Sequence, residues 1–257
     1  MLNFRNTNIL FIVLLALLII IDIRSDLPFY VYIITALVYS LILFWGSYNV
    51  GSNFYFHVIC AAKTSEKKIA ISFDDGPARE YTPHILQVLK DENVPAAFFC
   101  IGKRIAQNEY LLRQVYEAGH LVGNHSYSHA TWFDLFSSKR MYQDLKATDS
   151  IIQKVVGVKP KLFRPPYGVT NPNLKKAVMM GNYTAVGWSI RSLDTVISDH
   201  DQLLLKVTKA LKPGAVILFH DTGKAIQSVL PAFIELARQE GFEFVRLDKL
   251  LKLEPYA

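Results

Sequence analysis

The chain has 257 residues, of which 51% are hydrophobic and 19% are charged, and so large a hydrophobic share excludes a disordered chain. Its two cysteines exclude a disulfide scaffold and a zinc site of four thiolates. The formal net charge of +6 lies wholly beyond residue 50 and forms no dense basic cluster, so we expect no nucleic-acid binding.

Two apolar runs open the chain, at residues 9–21 and 27–45. A helix that spans a bilayer needs about 20 mostly apolar residues. The second run has that length, and the first reaches it only when the polar residues beside it lie among lipid headgroups. Aromatic residues crowd both ends of the second run, as at membrane interfaces. The runs predict two transmembrane helices, at about residues 7–23 and 27–46, within residues 1–50.

A secretory signal peptide is the competing interpretation of the first run, because Arg5 precedes an apolar core of the right length. No small-residue cleavage site follows, however, and the second run begins almost at once. We therefore favour a helical hairpin with a short turn at residues 22–28. Such a hairpin places the N-terminus and the rest of the chain on one side of the membrane, and the charges beside the runs do not decide which side.

Residues 51–67 show little pattern and are predicted to be a tether, whereas in residues 68–257 short apolar runs alternate with amphipathic stretches. The predicted strands are 69–73, 96–101, 121–124, 161–164, 184–188, 215–220 and 242–245. The predicted helices are 83–92, with Thr82 as N-cap, 103–118, 137–156, 173–180, 199–211 and 225–239. This alternation predicts a parallel sheet covered by helices, either an open doubly wound sheet or an incomplete barrel.

Side chains capable of chemistry follow the carboxyl ends of these strands, where parallel α/β folds place their sites. Each has an ordinary structural explanation: a turn for Asp-Asp-Gly-Pro, a rigid loop for Arg-Pro-Pro-Tyr-Gly, or a core histidine at a strand end. The candidates are Asp74, Asp75, His125, His129, Arg164, Asp194 and His220.

Together, these residues match the requirements of a metal-dependent hydrolase. Two histidines and one carboxylate make a three-ligand site with an open position, as catalytic zinc requires. His125 and His129 are four residues apart, so one helical turn would direct both imidazoles to the same side. A second carboxylate can act as base to the attacking water and a third histidine as acid to the leaving group.

From residue 68 to about residue 251, the chain resembles the polysaccharide deacetylase family, carbohydrate esterase family 4, whose domain is also called the NodB-homology domain. Five motifs occur in the family's order, and their conjunction is much more specific than any one of them. The motifs are ISFDDGP at 71–77, HSYSH at 125–129, RPPY at 164–167, the stretch 188–194, and LFH at 218–220. The resemblance implies a distorted (β/α)7 barrel, preceded here by the hairpin.

The resemblance also implies one divalent metal, held by Asp75, His125 and His129. Two imidazoles and a carboxylate suit Zn²⁺, and Co²⁺, Ni²⁺ or Fe²⁺ are alternatives. The metal would share the stabilisation of the oxyanion with a backbone N–H of the protein.

Four further side chains receive catalytic roles from the resemblance. Asp74 would be the base, paired with Arg164, and His220 would be the acid, tuned by Asp194. The residues implied to contact the substrate are Tyr167 through its backbone N–H, Leu218 beside the acyl methyl group, and Trp188.

The fourth motif departs from the family pattern. The family commonly has Asp-x-x-Asp-Trp, whereas this chain has Arg191, Asp194 and Thr195 at the corresponding positions. The pocket wall near residue 195 is therefore expected to be smaller and more polar than usual. This change affects the choice of substrate and acyl group more than the hydrolysis itself.

The sequence thus predicts a membrane-anchored, metal-dependent hydrolase that removes N-acetyl groups from amino sugars of a cell-envelope glycan, such as peptidoglycan, a chitin-like chain or an exopolysaccharide. A deacylase of a lipid-linked amino sugar, an esterase for O-acetyl groups and a catalytically silent glycan-binding barrel are the alternatives. We expect a two-pass protein of the cell (inner) membrane, in contact with its lipids, with the catalytic domain on the outer or periplasmic face. The oligomeric state and the pairing of Cys60 with Cys100 stay open.

Overall fold

The computed structural model describes residues 2–257 and begins with a helical hairpin of α1 (Phe4–Ser25) and α2 (Tyr30–Tyr48). In the turn, the Asp22 carboxylate accepts a hydrogen bond from the Leu27 N–H at 2.6 Å. Both helices are long and apolar enough to cross a membrane, and only 6% of each apolar window is buried within the protein. Their apolar side chains therefore face outward, away from any core of their own.

The two helices predicted at about 7–23 and 27–46 are present, with their ends shifted by a few residues. The first begins earlier because the Asn3 side chain accepts a hydrogen bond from the Asn6 N–H at 2.9 Å and so caps the helix.

A parallel sheet forms the centre of the rest of the chain. Its strands are β1 (Lys68–Asp74), β2 (Ala96–Cys100), β3 (Leu121–Asn124), β4 (Leu162–Phe163), β5 (Thr184–Ala185), β6 (Ile190–Arg191), β7 (Val216–His220) and β8 (Glu243–Phe244). The order across the sheet is β5-β4-β3-β2-β1-β7-β6, and β8 pairs with the beginning of β1. Every strand pair is parallel, and β5 and β6 are the two edges, so the sheet is an incomplete barrel.

Amphipathic helices cover this sheet. In chain order they are α3 (Thr82–Asp91), α4 (Gly102–Gln107), α5 (Glu109–Glu117), α6 (Ser138–Val156), α7 (Pro172–Gly181), α8 (His200–Lys209), α9 (Lys224–Gln239) and α10 (Leu247–Leu251). In the core, aromatic rings on adjacent strands stack on one another. The Phe73 ring on β1 stacks on Phe98 of β2 at 5.0 Å and on Phe219 of β7 at 6.1 Å between ring centroids. The central strand β1 is thus held from both sides, which fixes the position of the residues that follow it.

The predicted helix 103–118 is wrong as a single element, because α4 and α5 are separated at Asn108. The backbone of Asn108 is non-helical, with φ −145° and ψ 45°. Its side-chain oxygen accepts a hydrogen bond from Arg79 Nε at 2.6 Å, and its amide donates to the Arg104 carbonyl at 3.0 Å. A buried asparagine with these partners competes with the continuous helix.

The strand predicted at 184–188 ends at Ala185, and the short strand β6 that follows is absent from the prediction. The carbonyl oxygens of Val186 and Gly187 accept hydrogen bonds from the Arg164 guanidinium at 3.3 and 2.9 Å. These oxygens serve the candidate site instead of a strand ladder, and the strand is shorter for that reason.

The predicted N-cap role of Thr82 is also wrong, since Thr82 is the first residue of α3 and Tyr81 precedes it without a side-chain cap. The Thr82 hydroxyl accepts a hydrogen bond from the Ala78 N–H at 2.8 Å and donates one to the Asp221 carboxylate at 2.5 Å. The hydroxyl is therefore occupied by the loop after β1 and by the buried aspartate after β7.

Residues 51–67, predicted to be a tether with little pattern, lie against the barrel. Phe54 and Val58 are each only 2% exposed. The Ile59 N–H donates to the Ala185 carbonyl at 3.0 Å, and the Ala62 N–H donates to the Gly214 carbonyl at 2.9 Å. The segment is ordered because its apolar side chains are buried and its backbone bonds to residues beside both β5 and β7. Cys60 and Cys100 are both free thiols.

Candidate metal centre and active site

The loop after β1 carries two carboxylates in different backbone conformations. Asp74 is the last residue of β1 and is 2% exposed. Asp75 has φ 75°, in the left-handed region that residues other than glycine rarely adopt. This turn directs the two neighbouring carboxylates to different partners. Strain of this kind is characteristic of functional sites.

Asp75, His125 and His129 form a cluster that can hold a metal. The Asp75 Oδ1 atom lies 3.5 Å from His125 Nε2 and 3.4 Å from His129 Nε2. One ligand atom from each residue lies within 4.8 Å of the other two. Two imidazole nitrogens and one carboxylate oxygen suit a zinc-like divalent cation and leave coordination positions open. The donor set therefore fits the predicted metal.

The second nitrogen of His125 is used to orient its ring. His125 Nδ1 lies 2.9 Å from the Arg164 carbonyl oxygen, which can only accept a hydrogen bond. Nδ1 must therefore carry a proton and donate it, so Nε2, which faces Asp75, is the nitrogen that can bind a cation once its own proton has left. A backbone carbonyl in this position is a common orienting partner of metal-binding histidines.

The helical turn expected between the two histidines is wrong, although the imidazoles do converge. Residues 125–129 form an irregular turn, with positive φ at Ser126 (65°) and His129 (43°). The Asn124 side-chain oxygen accepts from the Ser126 N–H at 2.8 Å, and the Ser126 hydroxyl accepts from the His129 N–H at 3.1 Å. These side-chain hydrogen bonds, and not a helical turn, hold the two imidazoles on the same side of the loop.

The electrostatics of the cluster favour unprotonated ligands at two of the three positions. Burial alone would raise the pKa of Asp75, but contact with His125 and its charge outweigh burial and lower that pKa well below its ordinary value. Burial, and then the charge of His125, lowers the pKa of His129 to about 4. For His125, burial is outweighed by Asp74 and Asp75, and its pKa is raised. A cation that binds here would therefore displace a proton from His125.

Arg164 and Asp74 form a buried ion pair beside this cluster. Arg164 Nη1 lies 2.7 Å from Asp74 Oδ1 and 2.8 Å from the Ser72 hydroxyl oxygen. The same guanidinium donates to two backbone carbonyls of the loop after β5 and lies 4.1 Å from the Phe99 ring centroid. Its charge is thus paired and its donors are used, as a fully buried cation requires. The other Asp74 oxygen, Oδ2, lies 3.8 Å from His125 Nε2.

His220 and Asp194 form a second pair on the other side of β1. His220 Nδ1 lies 2.8 Å from Asp194 Oδ1, and the His220 N–H donates to Asp194 Oδ2 at 2.7 Å. Burial alone would lower the pKa of His220, but the hydrogen bond and charge of Asp194 outweigh it and raise that pKa above its ordinary value. Since β1 and β7 pair in register with Asp74 opposite His220, the two pairs face each other across one strand spacing.

The remaining predicted residues line the surroundings of these pairs. Tyr167 has φ 59°, its ring lies 4.6 Å from that of His129, and its hydroxyl donates to the His129 carbonyl at 3.2 Å. Leu218 is buried on β7, two residues before His220. Trp188 is half-buried, and a Cβ on Gly168 would lie 2.6 Å from its ring. The substrate contacts assigned to these residues stay predictions.

The departures in the fourth motif both lie on the surface. Arg191 is exposed, with its guanidinium 5.9 Å from the Trp188 ring centroid, and Thr195 is exposed. Asp194 is reached through Leu193, which has φ 65°. The motif therefore still delivers its aspartate to His220, while the residues that differ from the family pattern border the outer part of the site.

Sequence reasoning placed Asp221 at the strand end with His220 but assigned it no role, and the structure shows that it is fully buried. Burial raises the pKa of Asp221 to about 7. A Cβ on Gly76 would lie 2.0 Å from its Oδ2 atom, so only glycine fits in the Asp-Asp-Gly-Pro turn. The available signal was this glycine, because a close approach of another group to the backbone is one reason for glycine in a turn.

Comparison with known proteins supports the same assignment. The family model described as polysaccharide deacetylase matches residues 61–186. A peptidoglycan-N-acetylglucosamine deacetylase from Bacillus cereus is 32% identical over 201 residues, which are 76% of this chain and 93% of that protein. The deacetylase PgdA from Listeria monocytogenes is 33% identical over 189 residues, and the match covers 74% of this chain and only 40% of that longer protein.

A solved structure has the same fold. The Bc1960 peptidoglycan N-acetylglucosamine deacetylase superposes with a TM-score of 0.73 at 29% identity, covering 78% of this chain and 95% of that one. The predicted distorted barrel is thereby confirmed, and so is the family suggested by the five motifs. The chain belongs to the polysaccharide deacetylase family.

Proposed function

We propose that this protein is a metal-dependent hydrolase that removes N-acetyl groups from amino sugars of a cell-envelope glycan. One observation carries the proposal: a carboxylate and an imidazole, Asp74 and His220, lie opposite each other on paired strands beside a three-ligand metal cluster. The relatives from Bacillus cereus and Listeria are named for peptidoglycan N-acetylglucosamine, which supports a cell-wall glycan as substrate.

In the proposed reaction, water cleaves the amide to give acetate and a free amine. A cation held by Asp75, His125 and His129, for which Zn²⁺ fits best and Co²⁺, Ni²⁺ or Fe²⁺ are alternatives, would supply Lewis-acid polarisation. Asp74 accepts the proton of the attacking water, and its charge is balanced by Arg164. The carboxylate stays in position because its partner is held by other acceptors.

The leaving group departs as an amine only when its nitrogen is protonated. His220 donates this proton from Nε2, because its Nδ1 is engaged with Asp194. The Tyr167 N–H donates to the oxyanion of the tetrahedral intermediate. Leu218 contacts the acyl methyl group, and Trp188 forms the wall beside it.

The two N-terminal helices support anchoring of this enzyme in a membrane. Their outward-facing apolar side chains have few partners within the protein. We therefore propose a two-pass protein of the cell membrane whose catalytic domain faces the envelope glycan on the outer side. Mass measurement of the mature protein tests this, because removal of α1 as a signal peptide would contradict the anchor.

The activity itself is tested with the full chain in detergent, loaded with Zn²⁺, on peptidoglycan fragments, chitooligosaccharides and acetylated xylan. We expect amine release from an N-acetylated glycan, and Asp74→Asn should lose it while keeping the metal. His125→Ala should lose both the metal and the activity while retaining the fold by circular dichroism. Stoichiometric metal in His125→Ala, or no amine release from any glycan by the loaded wild type, would contradict the proposal.

A further inference from the structure

The barrel is joined to the hairpin by direct contacts. The Thr170 N–H donates to the Ser47 carbonyl at 2.9 Å, and the Thr170 hydroxyl donates to the Gly46 carbonyl at 3.3 Å. The Phe54 ring lies where a Cβ on Gly46 would be, and the Phe4 N–H donates to the Phe54 carbonyl at 2.9 Å. These contacts set which side of the barrel faces the end of the hairpin.

The side of the barrel that faces the hairpin is the side of the candidate site. Thr170 lies three residues after Tyr167, whose ring contacts His129. A second loop, residues 131–136, begins two residues after His129 and faces α2 across a cavity that both of them line. The loop that carries Tyr167 and the loop that follows His129 are thus both beside the end of α2.

The second loop lies level with the last turns of α2. A cavity of about 520 Å³ separates them, lined by Phe44 and Tyr48 from α2 and by Leu135 and Pro172 from the barrel. Phe44 lies four residues before the end of α2, about 6 Å along the helix axis at 1.5 Å per residue. Leu135 therefore stands at the depth of the final turn of the hairpin, where a bilayer has its interfacial region.

The loop 131–136 presents apolar side chains to the outside at this depth. Trp132 is 68% and Leu135 is 71% exposed, beside Phe44 at 66% and Tyr48 at 62%. Trp132 directly precedes the 3-10 helix Phe133–Leu135, and the Leu135 N–H donates to the Trp132 carbonyl at 3.1 Å, so the two exposed side chains lie at the ends of one tight turn. Aromatic and aliphatic residues in such a position are typical of interfacial anchors.

Exposed basic residues are close in the chain to this apolar surface, and the Arg140 guanidinium lies over the ring of Phe136 in the loop. Lys139 and Arg140 follow the loop, and Lys175 and Lys176 follow the cavity-lining segment at the beginning of α7. Basic residues next to exposed tryptophan and leucine suit an anionic lipid surface. The surface also continues directly into the apolar side of α2, so a membrane that holds the hairpin would meet the loop as well.

We propose that the loop 131–136 inserts into the same bilayer surface as the end of α2, and that the site therefore acts on an amino sugar carried by an anionic lipid. This rests on the proposed deacetylase function and names its substrate class. A site whose neighbouring loop lies at headgroup depth is close enough to the bilayer to reach a sugar joined to a membrane lipid. Glycan strands of the wall, by contrast, would have to approach that surface from the outside.

The test compares one acetylated disaccharide in two forms, with the full-length, Zn²⁺-loaded protein in anionic liposomes. In one form the sugar is joined through a diphosphate to a lipid in the bilayer, and in the other it is free in water. Because the bilayer holds both reactants together, we expect amine release from the lipid-linked form to be at least about tenfold faster at equal total concentration.

Two variants separate the surface from the chemistry. Leu135→Asp and Trp132→Asp should lose most of this advantage and leave the rate on the free disaccharide unchanged. Leu205→Asp is the matched control, since Leu205 is 52% exposed on α8 and should change neither rate. Quenching by brominated lipids should include a component that Trp132→Phe removes, which reports insertion independently of activity.

The outcomes distinguish the two proposals. Equal rates on both forms of the sugar, or identical quenching in the wild type and Trp132→Phe, would overturn the lipid-linked substrate and the insertion, while the deacetylase would stand. No amine release from either form would overturn the proposed function itself.

Discussion

Each half of the candidate site pairs an acidic side chain with a basic one, and the two pairs differ in exposure and in chemistry. In one half, Asp74 and Arg164 have 3% and 0% of their side chains exposed, and the guanidinium is a permanent cation. In the other half, His220 beside Asp194 keeps 13% of its side chain exposed, and its imidazole can release a proton. The buried Asp74–Arg164 pair keeps both of its charges, whereas the more exposed His220–Asp194 pair can release a proton from its imidazole.

The two pairs are also supported to different degrees. Arg164 has four oxygen partners from four residues, because a buried guanidinium with unused donors would be costly. His220 needs one strong partner, and Asp194 in turn accepts from the Ser192 hydroxyl at 2.7 Å. The permanently charged Arg164 thus requires hydrogen-bond acceptors around its guanidinium, whereas the titratable His220 requires one partner and access to the substrate. Substitutions in the two halves should differ accordingly.

The largest effect is expected for Arg164→Met, which leaves Asp74 buried without its partner. Removing one member of a buried ion pair costs about 3–5 kcal/mol, so the urea midpoint should fall and activity should vanish. Lys154→Met is the control, because Lys154 pairs with Glu109 on the surface at 2.8 Å with 70% of its side chain exposed, and exposed pairs add little. A similar fall of the urea midpoint in both variants would mean that the buried ion pair contributes no more to stability than the exposed one.

His220→Ala should have the next largest effect, and the effect should depend on the leaving group. General acid catalysis contributes about 10²–10⁴ in rate, so the loss on an N-acetyl amide should fall in that range. An aryl acetate has a leaving group that needs no proton, and its hydrolysis should suffer much less. The metal content should stay unchanged. Equal losses on the amide and on the activated ester would assign His220 a different role.

Asp194→Asn should move the pH profile. In the proposed reaction His220 is the acid and must be protonated to act, so we expect the rate to fall as the pH rises through its pKa. Asp194 raises that pKa, and its loss should therefore move the basic limb of kcat/KM to lower pH. The same pKa shift stabilises the fold below the ordinary imidazole pKa, and this stabilisation is lost as the pH rises through the folded pKa. The free energy of unfolding in urea, measured below the ordinary imidazole pKa and above the folded pKa of His220, should differ less in the variant than in the wild type. A basic limb of kcat/KM that does not move would contradict the proposal that Asp194 raises the pKa of His220.

The smallest effect is expected for Ser72→Ala in the buried half. The Ser72 hydroxyl accepts from Arg164 and donates to the Ile217 carbonyl at 2.8 Å, but Arg164 Nη1 keeps its bond to Asp74. Alanine removes both of these hydrogen bonds, each of which contributes about 1 kcal/mol to stability, and we expect less than about a tenfold loss in rate. Steady-state kinetics and urea unfolding measure both. A loss as large as that of Arg164→Met would make Ser72 an essential member of the pair.

The strand ends were predictable because a buried strand followed by polar residues is a local pattern. Asp74, His125 and His220 all lie where such patterns place them, and the metal cluster follows from their common edge of the sheet. The conformation of the loops was harder to predict from the sequence. His129 reaches Asp75 through an irregular turn held by side-chain hydrogen bonds, which residue spacing alone does not distinguish from a helix.

Other features escaped prediction because their partners are distant in the chain. The early end of β5 and the short strand β6 were not predicted, because Arg164 uses the carbonyl groups of Val186 and Gly187 between them. The break at Asn108 depends on Arg79, and the role of Asp221 depends on Gly76 and Thr82. In each case the contact that determines the structure joins residues far apart in the chain, and a local sequence pattern contains no information on such a contact.

The segment that leaves the hairpin has a consequence for the order of folding during synthesis. Ile59 bonds beside β5 and Ala62 bonds to Gly214 just before β7, so the first stretch after the hairpin waits for partners that are made about 125 and 150 residues later. Until the ribosome has released that part of the chain, Val58 has no barrel to cover it, whereas Phe54 packs against Phe4 and Trp45 of the hairpin. The hairpin would hold this apolar stretch at the bilayer surface in the meantime, away from other unfinished chains.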